Sequence, residues 1–247
     1  MRGTVRGMKA AAGRGAGGTL FVVATPIGNL EDLSPRALAV LRAVPWIACE
    51  DTRVARRLRT HFGLTARLVS YHDHNEAQQV EFLLGRLRSG EDLALICDAG
   101  TPLISDPGYR VVRAARIEDL PVRTVPGPSA VASALSVSGL PTDMFTFFGF
   151  PPGRRSAKRR AFLQRSAEAP GSLVFFESAR RASDLLDELA GILGSREASV
   201  SREMTKIYEE HWFGSLPELA RRAKQEPPRG EVTIVVAPEG RRKPRPT

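Results

Sequence analysis

From Thr19 onward the chain alternates short apolar runs with longer segments of helical spacing. Residues 20–24 (LFVVA), 46–49 (WIAC), 68–69, the run opening at Leu93 (LALIC) and 122–125 (VRTV) read as five strands. Short apolar runs of this kind suit a parallel sheet that is buried on both faces. Helices are predicted between them. Ser34-Pro35 offers an N-cap and a first-position proline, followed by Ala37, Leu38 and Leu41 as an inward stripe. Residues 54–61 and 109–118 read as helices, as do residues 77–89, with Val80, Leu83, Leu84 and Leu87 at helical spacing. Residues 130–138 form a helix built largely from Ala, Ser and Val, small enough to approach a ligand or a sheet closely.

The second half continues with a strand at 144–148, a hinge at 149–155 containing Pro151-Pro152-Gly153, and a helix at 156–167. A strand at 172–177, a helix at 183–190, a strand at 198–201, a helix at 217–224 and a strand at 231–236 complete it. The expected fold class is α/β, with an N-terminal domain over 19–143 and a smaller mixed α/β domain over 144–237. Residues 1–18 and 238–247 are expected to be disordered basic tails. No apolar run approaches the roughly 20 residues that span a bilayer, and the first residues lack the apolar segment of a secretory signal. Cys49 and Cys97, near the ends of buried strands, read as structural thiols in a reducing cytoplasm.

The segments at the strand ends carry the chemistry. The five strands run into Thr25-Pro26-Ile27-Gly28-Asn29, Glu50-Asp51-Thr52-Arg53, Tyr71-His72-Asp73-His74-Asn75-Glu76, Asp98-Ala99-Gly100-Thr101-Pro102 and Pro126-Gly127-Pro128-Ser129. In parallel strands these segments leave one edge of the sheet, where open α/β folds bind ligands. Asp98 suits ribose hydroxyls or a cationic group, or else caps its own turn. The one GxGxxG match, at 13–18, lacks the preceding strand that a dinucleotide site needs, and no Walker A pattern exists. Without a phosphate cradle, an adenosine-bearing cofactor that has no phosphates fits best. His72, His74 and Glu76 suggest a polar loop more than a metal site, since neither cysteine has ligand spacing, and no metal is expected.

The net charge of +9 is concentrated in the tails: residues 1–18 carry +4 and residues 238–247 carry +3, leaving +2 for the rest. One internal cluster, Arg154, Arg155, Lys158, Arg159, Arg160 and Arg165, is suited equally to neutralising phosphates or to solvating a helix face. Arg202 and Lys206 form a surface pair or face the first domain across a cleft.

The segments TPIGNLEDLSPRAL, CEDTR, HDHNE, DAGTPLISDPG, VPGPSA, SGLPTD and SREMTK together resemble the ribosomal RNA small subunit methyltransferase I family, of the tetrapyrrole methylase superfamily. The resemblance runs from about Leu20 to Val236 and departs from the family pattern at Phe176, where Tyr is expected. It implies a class III methyltransferase with two α/β domains, a cofactor cleft between them and a homodimeric state. It also implies S-adenosyl-L-methionine as cofactor and 2′-O-methylation of a cytidine in the decoding region of 16S rRNA, either as free RNA or within the 30S subunit. By similarity the cofactor contacts Pro26, Asp98, Gly100, Thr101, Ile104, Ser129 and Ala130. Glu50, Glu177 and Lys206 are candidates to deprotonate the ribose hydroxyl. Arg53, Arg202, His72, Asn75, Arg154 and Arg155 are candidates to contact RNA. If Lys206 is the base, Lys206→Ala lowers methyl transfer far more than cofactor affinity. Two other readings remain: carbon methylation of a porphyrin or corrin ring, and RNA binding without catalysis.

Overall fold

The computed structural model describes residues 17–153 and 156–240. Arg154, Arg155 and most of the two basic tails lie outside the described residues. The described chain forms two compact units. One contains the residues up to Val23, Leu38–Asp98 and Pro107–Val125. The other contains Ala24–Ala37, Ala99–Asp106 and the residues from Pro126 onward.

The first unit is built on a five-stranded sheet of β1 (Leu20–Val23), β2 (Trp46–Cys49), β3 (Arg67–Ser70), β4 (Leu93–Leu95) and β5 (Val122–Val125). Its order is β3-β2-β4-β1-β5. Every pairing is parallel, as expected from the sequence. The three inner strands are apolar almost throughout and nearly all buried. The exposed Arg67, Arg123 and Thr124 fall on the two edge strands, where one side faces water.

Helices α1 (Pro35–Ala43), α2 (Thr52–Phe62), α3 (Glu76–Arg88) and α4 (Tyr109–Ile117) connect these strands. The Ser34 hydroxyl accepts from the Ala37 N–H at 3.1 Å, which is the N-cap that Ser34-Pro35 predicts. The Asp51 carboxylate caps α2 by accepting from the Arg53 N–H at 2.7 Å, and α2 ends at Gly63 with φ of 62°.

The His-rich loop after β3 is held by polar groups. The Tyr71 hydroxyl, fully buried, donates to Glu76 Oε1 at 2.7 Å and accepts from the Val111 N–H at 3.2 Å. The same Glu76 oxygen accepts from the Arg110 N–H at 3.2 Å. A buried carboxylate thus sits at the first turn of α4, where unpaired N–H groups and the helix dipole favour negative charge. Asn75 closes the loop, with Oδ1 accepting from the His72 N–H at 2.8 Å and Nδ2 donating to the Ser70 carbonyl at 3.0 Å.

The second unit carries a sheet of β6 (Phe145–Gly149), β7 (Ser172–Ser178), β8 (Glu197–Arg202), β9 (Glu210–Ser215) and β10 (Glu231–Val236), in the order β6-β7-β10-β8-β9. β6 and β7 are parallel and the other pairings antiparallel. Successive residues point to opposite faces, and both faces are covered. Phe175, Val200, Trp212 and Ile234 pack with Leu163 of α6 (Ala157–Ala167), Leu185 and Leu189 of α7 (Ala179–Leu193) and Leu219 of α8 (Leu216–Gln225). Val174 and Val235 pack on the other side with Val131, Ala134 and Leu135 of α5 (Ala130–Val137), and with Ile27 and Met204.

Two elements go beyond the sequence expectations. β9 escapes the sequence pattern because Trp212 is its one buried side chain, flanked by exposed His211 and Phe213. α7 begins at Ala179 rather than at 183, since its stripe of Ala182, Leu185, Leu186, Leu189 and Leu193 extends past both ends of the predicted segment.

Replacing Tyr71 with Phe leaves the buried Val111 N–H without its acceptor. Tyr71→Phe is therefore expected to lower stability by about 1–3 kcal/mol, read as a lower urea midpoint at unchanged slope.

Candidate active site

Three loops of the second unit are joined through their backbones. After β1 and β4, the Thr25 N–H donates to the Gly100 carbonyl at 2.8 Å and the Gly100 N–H returns to the Thr25 carbonyl at 3.1 Å. Gly100, with φ of 86°, adopts a conformation that side chains disfavour. The Thr101 hydroxyl donates to the Pro128 carbonyl at 3.0 Å, which brings in the loop after β5. Gly127 packs tightly on the first loop: a Cβ there would lie 3.1 Å from that of Ala24, closer than ordinary contact. Of the cofactor candidates, Pro26, Gly100, Thr101, Ile104, Ser129 and Ala130 are all in this unit, whereas Asp98 ends the preceding segment of the first unit.

Ser129 stands at the N-cap of α5 yet makes no capping bond, and Ile104 is exposed. These loops present backbone groups, small side chains and an uncapped serine, with no array of cations. That chemistry fits a flat adenosine group without phosphates. Strain concentrates here too. Among the described non-glycine residues, positive φ occurs at Leu103, Ser105, Asp119, Glu203 and Thr205. Four of these five lie in the DAGTPLISDPG and SREMTK segments, and such strain is typically retained at functional sites.

In the first unit, Glu50, Asp51, Arg53, His72 and Asp98 line an open depression of about 380 Å³ beyond the ends of β2, β3 and β4. Asp98 Oδ1 accepts from the Asp51 N–H at 3.0 Å. Burial pushes the Asp98 carboxyl above the usual range; the bond from Asp51 opposes this and the Asp51 charge adds to it. Arg53 grips Asp51 through Nη2 at 2.6 Å and holds its carboxyl down at about 2. The Arg53 side chain is nevertheless 84% exposed. Both cysteines are buried and neither forms a disulfide, and the Cys49 thiol is pushed up to about 12 by burial and by Asp98 and Asp51. Asn75, a candidate RNA contact, uses its side-chain amide to close its own loop. No group of three or more His, Cys, Asp or Glu among the described residues is arranged to hold a metal ion.

The charged candidates of the second unit are paired. Glu177 is buried, with Oε1 on Arg181 Nη2 at 2.7 Å and on the Ser178 N–H at 2.8 Å, and Oε2 on Arg159 Nη1 at 3.3 Å. Arg159 is 1% exposed and also holds Glu188 at 2.7 Å and the Pro152 carbonyl at 2.9 Å. Glu177 is therefore enclosed between two guanidinium groups, and Arg159 is withdrawn from the basic cluster. Arg202 is bound to Glu210 at 2.7 Å, and Glu210 also takes Arg222 at 2.8 Å. As a phosphate ligand Arg202 would have to break that pair. Lys206 Nζ donates to Glu203 at 3.0 Å and to Glu231 at 3.1 Å. Partial burial draws its pKa down, but these hydrogen bonds and charges outweigh burial and hold it above the usual lysine value. These two carboxylates favour the ammonium form over the free amine that a base would need. Thr205, whose hydroxyl accepts from the Asn29 N–H at 3.1 Å, does not stand out in the sequence. Only its place in SREMTK points to it.

Truncating one partner of a buried ion pair strands the other charge. Glu177→Ala is expected to cost about 3–5 kcal/mol of stability, read by urea unfolding, with turnover per folded molecule largely kept.

Comparison with known proteins agrees with this geometry. Residues 19–220 match the family model of Tetrapyrrole (Corrin/Porphyrin) Methylases. The chain is 52% identical over 222 residues to the ribosomal RNA small subunit methyltransferase I of Xylella fastidiosa (strain Temecula1), covering 89% of this chain and 81% of that protein. It is 46% identical over 222 residues to the protein of the same name from Escherichia coli O157:H7, covering 89% and 77%. Among solved structures, uroporphyrin-III-C-methyltransferase from Thermus thermophilus superposes with a TM-score of 0.61 at 19% identity, covering 88% of this chain and 94% of that one. That likeness reflects the shared fold of two α/β sheets. By sequence, by fold and by its loops, this chain belongs to the ribosomal RNA small subunit methyltransferase I family of the tetrapyrrole methylases.

Proposed function

We propose that the protein is an S-adenosylmethionine-dependent methyltransferase of 16S rRNA, which methylates the ribose 2′-oxygen of a decoding-region cytidine within the 30S subunit. The observation that carries this reading is the 52% identity over 222 residues to a small-subunit rRNA methyltransferase. The linked loops at Thr25, Gly100 and Pro128 support it.

S-adenosylmethionine supplies an electrophilic methyl group on a sulfonium. The protein's part is to position the ribose oxygen in line with that methyl group, exclude water and accept the hydroxyl proton. Pro26, Gly100, Thr101, Ile104, Ser129 and Ala130 would hold the adenosine portion, and Asp98 would accept from ribose hydroxyls. Of the three base candidates, Glu50 is the one that lines the open depression, with Asp51, Arg53 and His72, and it takes the proton. Arg53, projecting into solvent, pairs with phosphates flanking the target, and His72 lies beside it on the same depression. Arg154 and Arg155 extend the electrostatic footprint.

The reading also includes a cytoplasmic homodimer. Exposed Met144, and Phe145 on the β6 edge, are apolar side chains that a second copy would cover. The two buried cysteines, which form no disulfide, suit a reducing compartment, and no helix among the described residues is long and apolar enough to cross a membrane.

Incubation of unmodified 30S subunits with labelled S-adenosylmethionine tests the function. The expected product is 2′-O-methylcytidine at one decoding-region position. Transfer to no RNA by protein that binds the cofactor would overturn the assignment. Glu50→Gln is expected to lower kcat by about 10²–10⁴-fold, with cofactor affinity within about threefold. Unchanged kcat would remove Glu50 from the mechanism.

A further inference from the structure

The turn after β8 is unusually constrained for a surface segment. Glu203 and Thr205 both take left-handed backbone conformations, with φ of 50° and 67°. Neither is glycine, so something must hold them there. The Glu203 N–H donates to the Glu231 carbonyl, and the Glu231 N–H returns to Glu203 Oε1, both at 3.1 Å. That carboxylate fits only because residue 230 is glycine: a Cβ there would overlap it at 1.9 Å. Lys206 N–H donates to the Glu203 carbonyl at 3.0 Å, and Thr205 N–H to Glu209 Oε2 at 2.6 Å. Glu209 is in turn held by His211 at 2.8 Å, and His211 by the Ser201 hydroxyl at 2.9 Å.

This braced turn presents two groups to the loop after β1. The Thr205 hydroxyl accepts from the Asn29 N–H at 3.1 Å. The Lys206 stem lies over Gly28 so closely that a Cβ at Gly28 would stand 2.6 Å from Lys206 Cγ and 2.8 Å from Thr205 Oγ1. Nζ, at the far end of that stem, is fastened to Glu203 and Glu231, so the stem cannot swing aside without breaking two ion pairs. The loop it presses on then runs back through buried Ile27 and Pro26 to the Thr25–Gly100 bridge.

We propose that Thr205 and Lys206 are positioning residues which fix the loop Thr25–Asn29 in its cofactor-binding shape, with Lys206 serving as an anchored strut. This inference rests on the reading of that loop as part of the S-adenosylmethionine site. The anchored strut and a lysine base make opposite predictions. A base acts on kcat and leaves its imprint on the pH profile. A strut acts on cofactor affinity and couples to Gly28.

The experiment measures S-adenosylhomocysteine affinity by calorimetry and methyl transfer to 30S subunits for wild type and five variants. Thr205→Val, which keeps the shape and removes the acceptor, is expected to weaken affinity by about three- to tenfold, with kcat at saturating cofactor within about threefold. Thr205→Ser restores affinity. Gly28→Ala weakens affinity by more than about tenfold alone, but by clearly less when added to Lys206→Ala, because the clashing stem is then gone. Lys206→Ala itself raises the cofactor KM and leaves the acid limb of the kcat–pH profile in place. Unchanged affinity in Thr205→Val and Gly28→Ala would overturn the proposal. So would a Lys206→Ala protein that binds cofactor normally and has lost turnover. Wild-type protein that binds no S-adenosylhomocysteine would strike the cofactor reading itself, and this inference with it.

Discussion

Two backbone hydrogen bonds between Thr25 and Gly100 form the constraint on which the candidate site depends. They join segments that leave β1 and β4, neighbours in the parallel sheet, through residues 75 apart in sequence. The strand order sends the chain from β1 across β4 to β2, and from β4 across β1 to β5, so the two strands feed connections in opposite directions. Open α/β folds bind ligands where this reversal occurs. The bridge works only because Gly100 accepts a left-handed backbone and Gly127 accepts close contact with Ala24. Thr101 then extends the join to Pro128 and the start of α5.

The second sheet supports these loops. Ile27 and the small residues of α5 pack on Val174, Val235 and Met204, so the segment carrying Pro26 and Gly28 is part of a hydrophobic core. Loops that bind ligands are most exact when a rigid scaffold holds their side chains. The charged groups on this unit serve the same purpose. Glu177 with Arg159 and Arg181, and Glu210 with Arg202 and Arg222, are paired on or near the strands rather than offered to a substrate. Arg159, which looks like part of a nucleic-acid surface in one dimension, is an internal fastening.

Much of this was legible in the sequence because it rests on local pattern. Strands such as 20–23 and 46–49 are written in continuous apolar runs, and Ser34-Pro35 states its own cap. The odd loops at strand ends were readable for the same reason, as were Gly100 and Thr101 within them. Other features depend on long-range partners. Nothing local distinguishes Arg159, buried against Glu177 and Glu188, from exposed Arg160 one residue on. β9 shows one inward aromatic and is defined by its pairing with β8. The left-handed backbone of Glu203 and Thr205 is imposed by Glu231, Glu209 and the absence of a side chain at Gly230. Lys206 read as a possible base because its two carboxylate partners, one of them 25 residues away, are brought to it by the strand pairing of β8 with β10.

The central claim is that the loops after β1, β4 and β5 form the cofactor site of this rRNA methyltransferase. Hydrogen exchange of the protein with and without S-adenosylhomocysteine addresses it most directly. Slower exchange in peptides covering 24–29, 99–105 and 126–131, with little change around 195–197 and 214–218, is the predicted result. Protection confined to other segments, with those three loops unaffected by bound ligand, would contradict it.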